Sequence, residues 1–269
     1  MARTGKPAGR AARRRDARAA RDAPLDLDGL RARVARAAIP GPADRAERAR
    51  RLLSAWIGTA AAHGASLRDI VRGLGNGSAA EQLRGALETE ISRNPPPVLR
   101  DAACRAGCAF CCILDGPDGG TITEVEARRM HGALAPLAGR PDGRDWHPAA
   151  CPALDPETRT CRAYDERPGL CRAYLSSDAE ACRINAEGGA APGAGLLSTH
   201  PDALAVHGLA RAALRGVVRV ETFALARLNA AALEGRDVDA ALDAARHPPK
   251  MLDEALRGLV SSAAAARRR

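Results

Sequence analysis

The chain has 269 residues, 46% of them hydrophobic but only 2% aromatic, with a formal net charge of +9. That length allows one generous domain or two small ones. A core built from alanine and leucine favours helices and disfavours an all-β fold, because aromatic and β-branched strand formers are scarce.

Residues 1–24 read as a basic disordered tail. Eight basic side chains (Arg3, Lys6, Arg10, Arg13, Arg14, Arg15, Arg18 and Arg21) stand against Asp16 and Asp22, a net +6, and Arg267, Arg268 and Arg269 add +3. These two ends account for the whole excess, so the body is formally neutral. Nucleic-acid binding is therefore expected only weakly, through arms that hold phosphate by counterion release. The basic start leads into no apolar h-region, and no uncharged apolar run approaches the roughly 18 residues that cross a bilayer. The expectation is a cytoplasmic protein without membrane contact.

Residues 25–98 form an N-terminal helical region. Helices are predicted over 26–38 and 43–63, the second with Leu52, Leu53, Trp56, Ile57 and Ala60 on one face. A short helix near 66–74 ends among Gly73, Gly75 and Gly77. Ser78 and Glu81 have capping-box spacing ahead of Leu83, Leu87 and Ile91, and Pro95, Pro96 and Pro97 stop that helix. A cysteine-cluster metal-binding domain follows over 99–187. Inside it, Thr123 and Glu126 make a second capping box that opens a helix to about Leu134, and 139–150 reads as loop. Residues 188–195 are linker-like and lack the Gly-Lys-Ser/Thr ending of a phosphate loop. A C-terminal helical region over 196–266 is expected to pack on the cluster domain. It is helical from about 202 to 234, with two shorter helices around Pro248 and Pro249. The fold class is mainly α, with helical flanks around a loop-rich cysteine-cluster metal site.

All eight cysteines lie between Cys104 and Cys182. In a reducing compartment such a group points to metal binding or catalysis before disulfides. Cys104, Cys108, Cys111 and Cys112 follow C-x3-C-x2-C-C spacing; on a helix their sulfurs would leave one face, within an arc of about 100°. Cys151, Cys161, Cys171 and Cys182 follow at intervals of ten, ten and eleven, in turn-rich surroundings that let them close the far side. Thiolates suit iron–sulfur clusters and zinc. A buried cysteine face without metal, or disulfides, are the competing readings. Adjacent Cys111 and Cys112 are poorly placed to share one tetrahedral ion, so the number of sites stays open. An all-thiolate set without paired C-x2-C units leans to an iron–sulfur cluster, with zinc as the alternative. His131 reads as a helix-surface residue and His147 as a non-ligand. The C-x3-C-x2-C spacing is also that of radical S-adenosylmethionine enzymes, but no strand precedes it and helical sequence follows. Tyr164, Arg167, Arg172 and Tyr174 either hydrogen-bond thiolate sulfurs or fold a surface turn, with Arg167 pairing to Asp165 or Glu166.

The ordered segments "CRAGCAFCC", "TITEVE" and "CPALDPETRTCRAYDERPGLCRAY" resemble the YkgJ-type cysteine-cluster proteins over about residues 100–185. The resemblance implies a zinc- or iron-chelating domain. It carries Cys104, Cys108, Cys111, Cys112, Cys151, Cys161 and Cys171 over as cluster cysteines, Cys182 being the least closely matched. Flagellin lysine N-methylases hold a similar cluster, which makes a protein-modifying enzyme one alternative, although the helical flanks show no match to them. The functional expectation is a metal-chelating protein, redox-active or else a zinc-stabilised interaction protein. Its reaction, if any, and its protein or small-molecule partner are not written in the sequence.

Overall fold

The computed structural model describes residues 25–96, 99, 101–191 and 199–260. Both basic ends, Pro97 and part of the 188–195 linker lie outside the described residues. Four helices open the chain: α1 (Leu27–Arg36), α2 (Ala43–Ala62), α3 (Leu67–Gly75) and α4 (Ser78–Arg93). The cysteine segment contributes a 3-10 turn at Phe110–Cys112, β1 (Thr121–Ile122), α5 (Glu124–Leu134) and a second 3-10 turn at Ala135–Leu137. Short helices α6 (Gly143–Trp146), α7 (Gly169–Arg172) and α8 (Ala179–Ala186) follow. Then come α9 (His200–Ala213), β2 (Phe223–Ala224), α10 (Leu225–Leu233), α11 (Val238–Ala245) and α12 (Lys250–Arg257).

Side-chain capping explains half of the starts among the described helices. The Asp26, Ser66, Asp178 and Asp237 side chains accept backbone N–H groups at the heads of α1, α3, α8 and α11. Thr123 and Glu126 close the expected capping box on α5. The expected box at Ser78 does not form. Gly77, at φ 92°, caps α4 and leaves Ser78 already helical, its N–H donating to Asn76 Oδ1 at 3.0 Å. Glu81 is thereby free to pair with Arg84 and Arg129.

The helix expected over 202–234 is two helices with a strand between them. Gly216, at φ 79°, turns the chain after α9. The β-branched run that follows extends into β2, which pairs antiparallel with β1 in the register Ile122↔Phe223 and Thr121↔Ala224. The 139–150 stretch, expected as loop, contains the single turn α6.

The chain builds two cores and passes repeatedly between them. The first gathers Leu30, Leu53, Ile57, Ile70, Leu74, Ala79 and Leu209, from α1–α4 and α9, with Leu252 and Leu256 of α12. Asp202, near the start of α9, accepts from Arg45 and Arg48 of α2 at 2.9 Å each. The second core joins Ile122, Met130 and Leu134 to Phe223, Leu228 and Leu242, from β1, α5, β2, α10 and α11. Cys151 is part of that second core, and Cys112, Cys161 and Cys171 pack against it. Because α10 and α11 both cover α5, His131 is buried rather than on a surface, with Nε2 at 2.9 Å from the Arg236 carbonyl. No helix among the described residues is long and apolar enough to cross a membrane.

Candidate metal centre

The first four cysteines do not share a helix face. Gly107, at φ 78°, reverses the chain between Cys104 and Cys108, and only Phe110–Cys112 make a helical turn. The Cys104 region is held elsewhere: Ala103 N donates to the Ser176 carbonyl at 2.8 Å, and Cys104 Sγ approaches the same oxygen at 3.8 Å. Cys112 is pinned to the next loop, since Cys151 N donates to its carbonyl at 2.7 Å beside an antiparallel bridge between Ile113 and Ala150.

Cys151 and Cys161 sit at the two ends of a tight reversal. Leu154 and Cys161 form an antiparallel bridge, and Arg162 N donates to the Ala153 carbonyl at 2.9 Å. The Asp155 carboxylate accepts the N–H groups of Glu157 and Thr158 and the Arg162 guanidinium. Those bonds, the Thr158 N–H foremost, pull its pKa down to about 2.

Cys171 rides on α7, which is tied to α5. Glu126 Oε1 accepts Gly169 N at 2.8 Å, while Oε2 accepts both the backbone N and the hydroxyl of Thr123 at 2.9 Å. Only glycine fits at 169, where a Cβ would run into the Arg84 side chain. Cys182 lies on α8, which packs against the 110–112 turn, and the Ser176 hydroxyl bonds to it.

The thiols fall into an inner and an outer group, judged by which of them feel one another. Cys112 feels Cys111, Cys151 and Cys171; Cys171 in turn feels Cys151, Cys161 and Cys111. Burial, reinforced by these neighbours, pushes Cys151 up to about 11 and raises Cys161 and Cys171. Cys182 feels Cys104, Cys108 and Cys111, and burial raises it too. Cys111 stands between the groups. A hydrogen bond donated by Cys112 lowers its pKa to about 7 against the cost of burial, with help from Arg167, and pushes Cys112 far up.

All eight cysteines are free thiols: Cys104 and Cys111 exposed, Cys151 and Cys182 buried, the rest half-buried. Among the described residues no three His, Cys, Asp or Glu side chains stand in a metal-holding arrangement. The sulfurs are thus gathered without having converged. The chemistry of the donor set still fits zinc or iron. Clustered thiols that raise one another's pKa are the groups a cation would convert to thiolates, and the ligands are soft.

Residues 103–188 match a family model named CxxCxxCC, whose description is "Putative zinc- or iron-chelating domain". The match covers about a third of the chain and describes this segment alone. The matched segment has three residues, rather than two, between its first two cysteines. No curated protein and no solved structure matches the chain.

Around the CxxCxxCC cysteines, Arg167 stacks 3.5 Å from the Tyr164 ring centroid and donates to the Tyr164 carbonyl. Arg172 donates to the Arg167 and Asp165 carbonyls. These two arginines fold the turn through backbone oxygens, not through the Asp165 or Glu166 carboxylates, and Glu166 faces Arg129 instead. Arg167 nevertheless reaches Cys111, Cys161 and Cys171 by its charge, helping to lower the first and partly offsetting the rise of the other two. His147 Nδ1 accepts Ala149 N at 3.2 Å. One contact was not legible in the cysteine spacing: Asn229 of α10, outside the matched segment, donates from Nδ2 to Cys151 Sγ at 3.3 Å. Its only sequence signal is a polar residue inside an otherwise apolar stretch of helix, LNAAAL.

Proposed function

We propose that this protein chelates iron as an iron–sulfur cluster through the inner thiols Cys112, Cys151, Cys161 and Cys171. Cys104, Cys108 and Cys182 make a second, more open thiolate group, with Cys111 between the two. The observation that carries this reading is the gathering of four thiols, from three separate stretches of chain, so closely that neighbouring cysteines oppose the ionisation of each. A bound cation reverses that opposition, because it stabilises thiolate.

The remaining residues serve the sulfurs. Backbone N–H groups of Ala153 and Ala163 hydrogen-bond Cys151 and Cys161. Arg167 offsets negative charge from the solvent side. A bound iron–sulfur cluster would supply one-electron transfer. The reading requires a compartment that keeps thiols reduced, as the cytoplasm does.

A structural zinc site is the second reading, and a different observation favours it. Cys151 belongs to the second core, in a stretch of single-turn helices and loops that apolar burial alone holds loosely. The protein-modifying alternative rests on resemblance alone.

The test is metal and acid-labile sulfide content, with a visible spectrum, on protein purified without oxygen. Iron and sulfide in near-equal amounts, with broad absorption near ~400 nm, is the expected result. Zinc without sulfide supports the second reading. Protein that takes up neither metal overturns chelation altogether.

A further inference from the structure

Asn229 lies mid-helix in α10, has no exposed surface, and stands 78 residues from the cysteine it contacts. Its Nδ2 donates to Cys151 Sγ at 3.3 Å, while its Oδ1 is buried without a hydrogen-bond partner. Leaving one end of a carboxamide unpaired in a core is costly, and leucine would fill the same helix face without that cost. Stability alone therefore does not account for the residue. What an amide supplies and leucine does not is an N–H aimed at one sulfur. Such a bond strengthens as the sulfur gains negative charge, so it favours the thiolate a metal needs. Cys151 also accepts from its own loop, through Ala153 N–H, so its sulfur is held from two directions by different parts of the chain.

We propose that Asn229 is a positioning residue of the metal centre, orienting the Cys151 sulfur and stabilising its negative charge from a helix outside the CxxCxxCC segment. The inference rests on the chelating reading above. It makes α10 part of the site and assigns Cys151 as a ligand fixed before metal arrives.

The experiment is titration of the reduced, metal-free full chain with zinc against a chromogenic chelator, and with cobalt(II) followed by its sulfur-to-metal charge-transfer absorption. Asn229→Leu removes the donor and keeps an apolar fit; Asn229→Asp keeps the shape and removes the donor when ionised. Both variants should bind zinc about 10-fold or more weakly than the wild type and shift the cobalt spectrum. Melting of the metal-free proteins by circular dichroism separates this from misfolding, because Asn229→Leu should melt no lower than the wild type. Wild-type affinity and an unshifted cobalt spectrum in both variants would overturn the inference and leave chelation standing. A wild-type chain that binds neither metal would overturn chelation and this inference together.

Discussion

The two cores of this protein are held by different means. The first is a conventional helical core, in which Leu53, Ile57, Leu204 and Leu209 are removed from water between helices of eight to twenty residues. The second contains one strand pair and three longer helices, and its cysteine-bearing side is mostly turns. There, Cys151 takes a position that leucine would occupy in the first core, and neighbouring loops are joined by short bridges such as Cys151 N to the Cys112 carbonyl and Leu114 N to the Ala149 carbonyl. Apolar burial scales with area, and a small neutral thiol buries less of it than leucine does. On the chelating reading proposed above, the difference predicts that the first core stands without metal while the cysteine side draws support from it.

Metal removal is the largest lever on that comparison. Stripping bound metal with a strong chelator should withdraw on the order of 10 kcal/mol from the cysteine side. Hydrogen exchange should then quicken across 103–186, while α2 and α9 stay protected. Equal loss of protection in α2 would break the comparison. A smaller and opposite test is Leu209→Ala, at a fully buried position of the first core. It should cost about 2–5 kcal/mol in urea unfolding and leave metal content unchanged; reduced metal content would mean the cores are not separable. The smallest effect is local and pH-driven. Asp155 is held near pKa 2 in the fold, below its ordinary 3.8, so the turn it organises is stabilised above pH 4 and loses that support as pH falls towards 2. The Thr158 amide resonance should titrate with a midpoint near 2. A midpoint near 4 would show that Asp155 does not hold the turn.

What the sequence disclosed and what it hid follow from range. The capping box at Thr123 and Glu126 is a local pattern and was legible. The same pattern at Ser78 failed because Gly77, one residue earlier, had already bent the chain. The helical-face argument for Cys104 to Cys112 failed for a similar reason, since spacing alone does not reveal that Gly107 adopts a left-handed conformation. The mainly helical class could be read from alanine and leucine content, and the zinc- or iron-chelating character from the cysteine pattern. The burial of His131 and the reach of Asn229 to Cys151 could not. Both depend on which face of α5 or α10 meets a partner far along the chain, and no local periodicity carries that information. Glu126 was legible as a cap, but its bond to Gly169, which steadies the helix carrying Cys171, was not.

The alternation between cores also sets an order of events during synthesis. Cys104 to Cys182 leave the ribosome before β2, α10 and α11 exist, so early in translation Ile122, Met130 and Leu134 have nothing to pack against. A nascent chain therefore carries eight thiols with no wall to aim them, and the wall, with Asn229 in it, arrives about 40 residues after the last cysteine. Translation itself thus delays closure of the site until α1–α4 and α9 have been made, so a metal would meet a nearly finished chain rather than an early stretch of one.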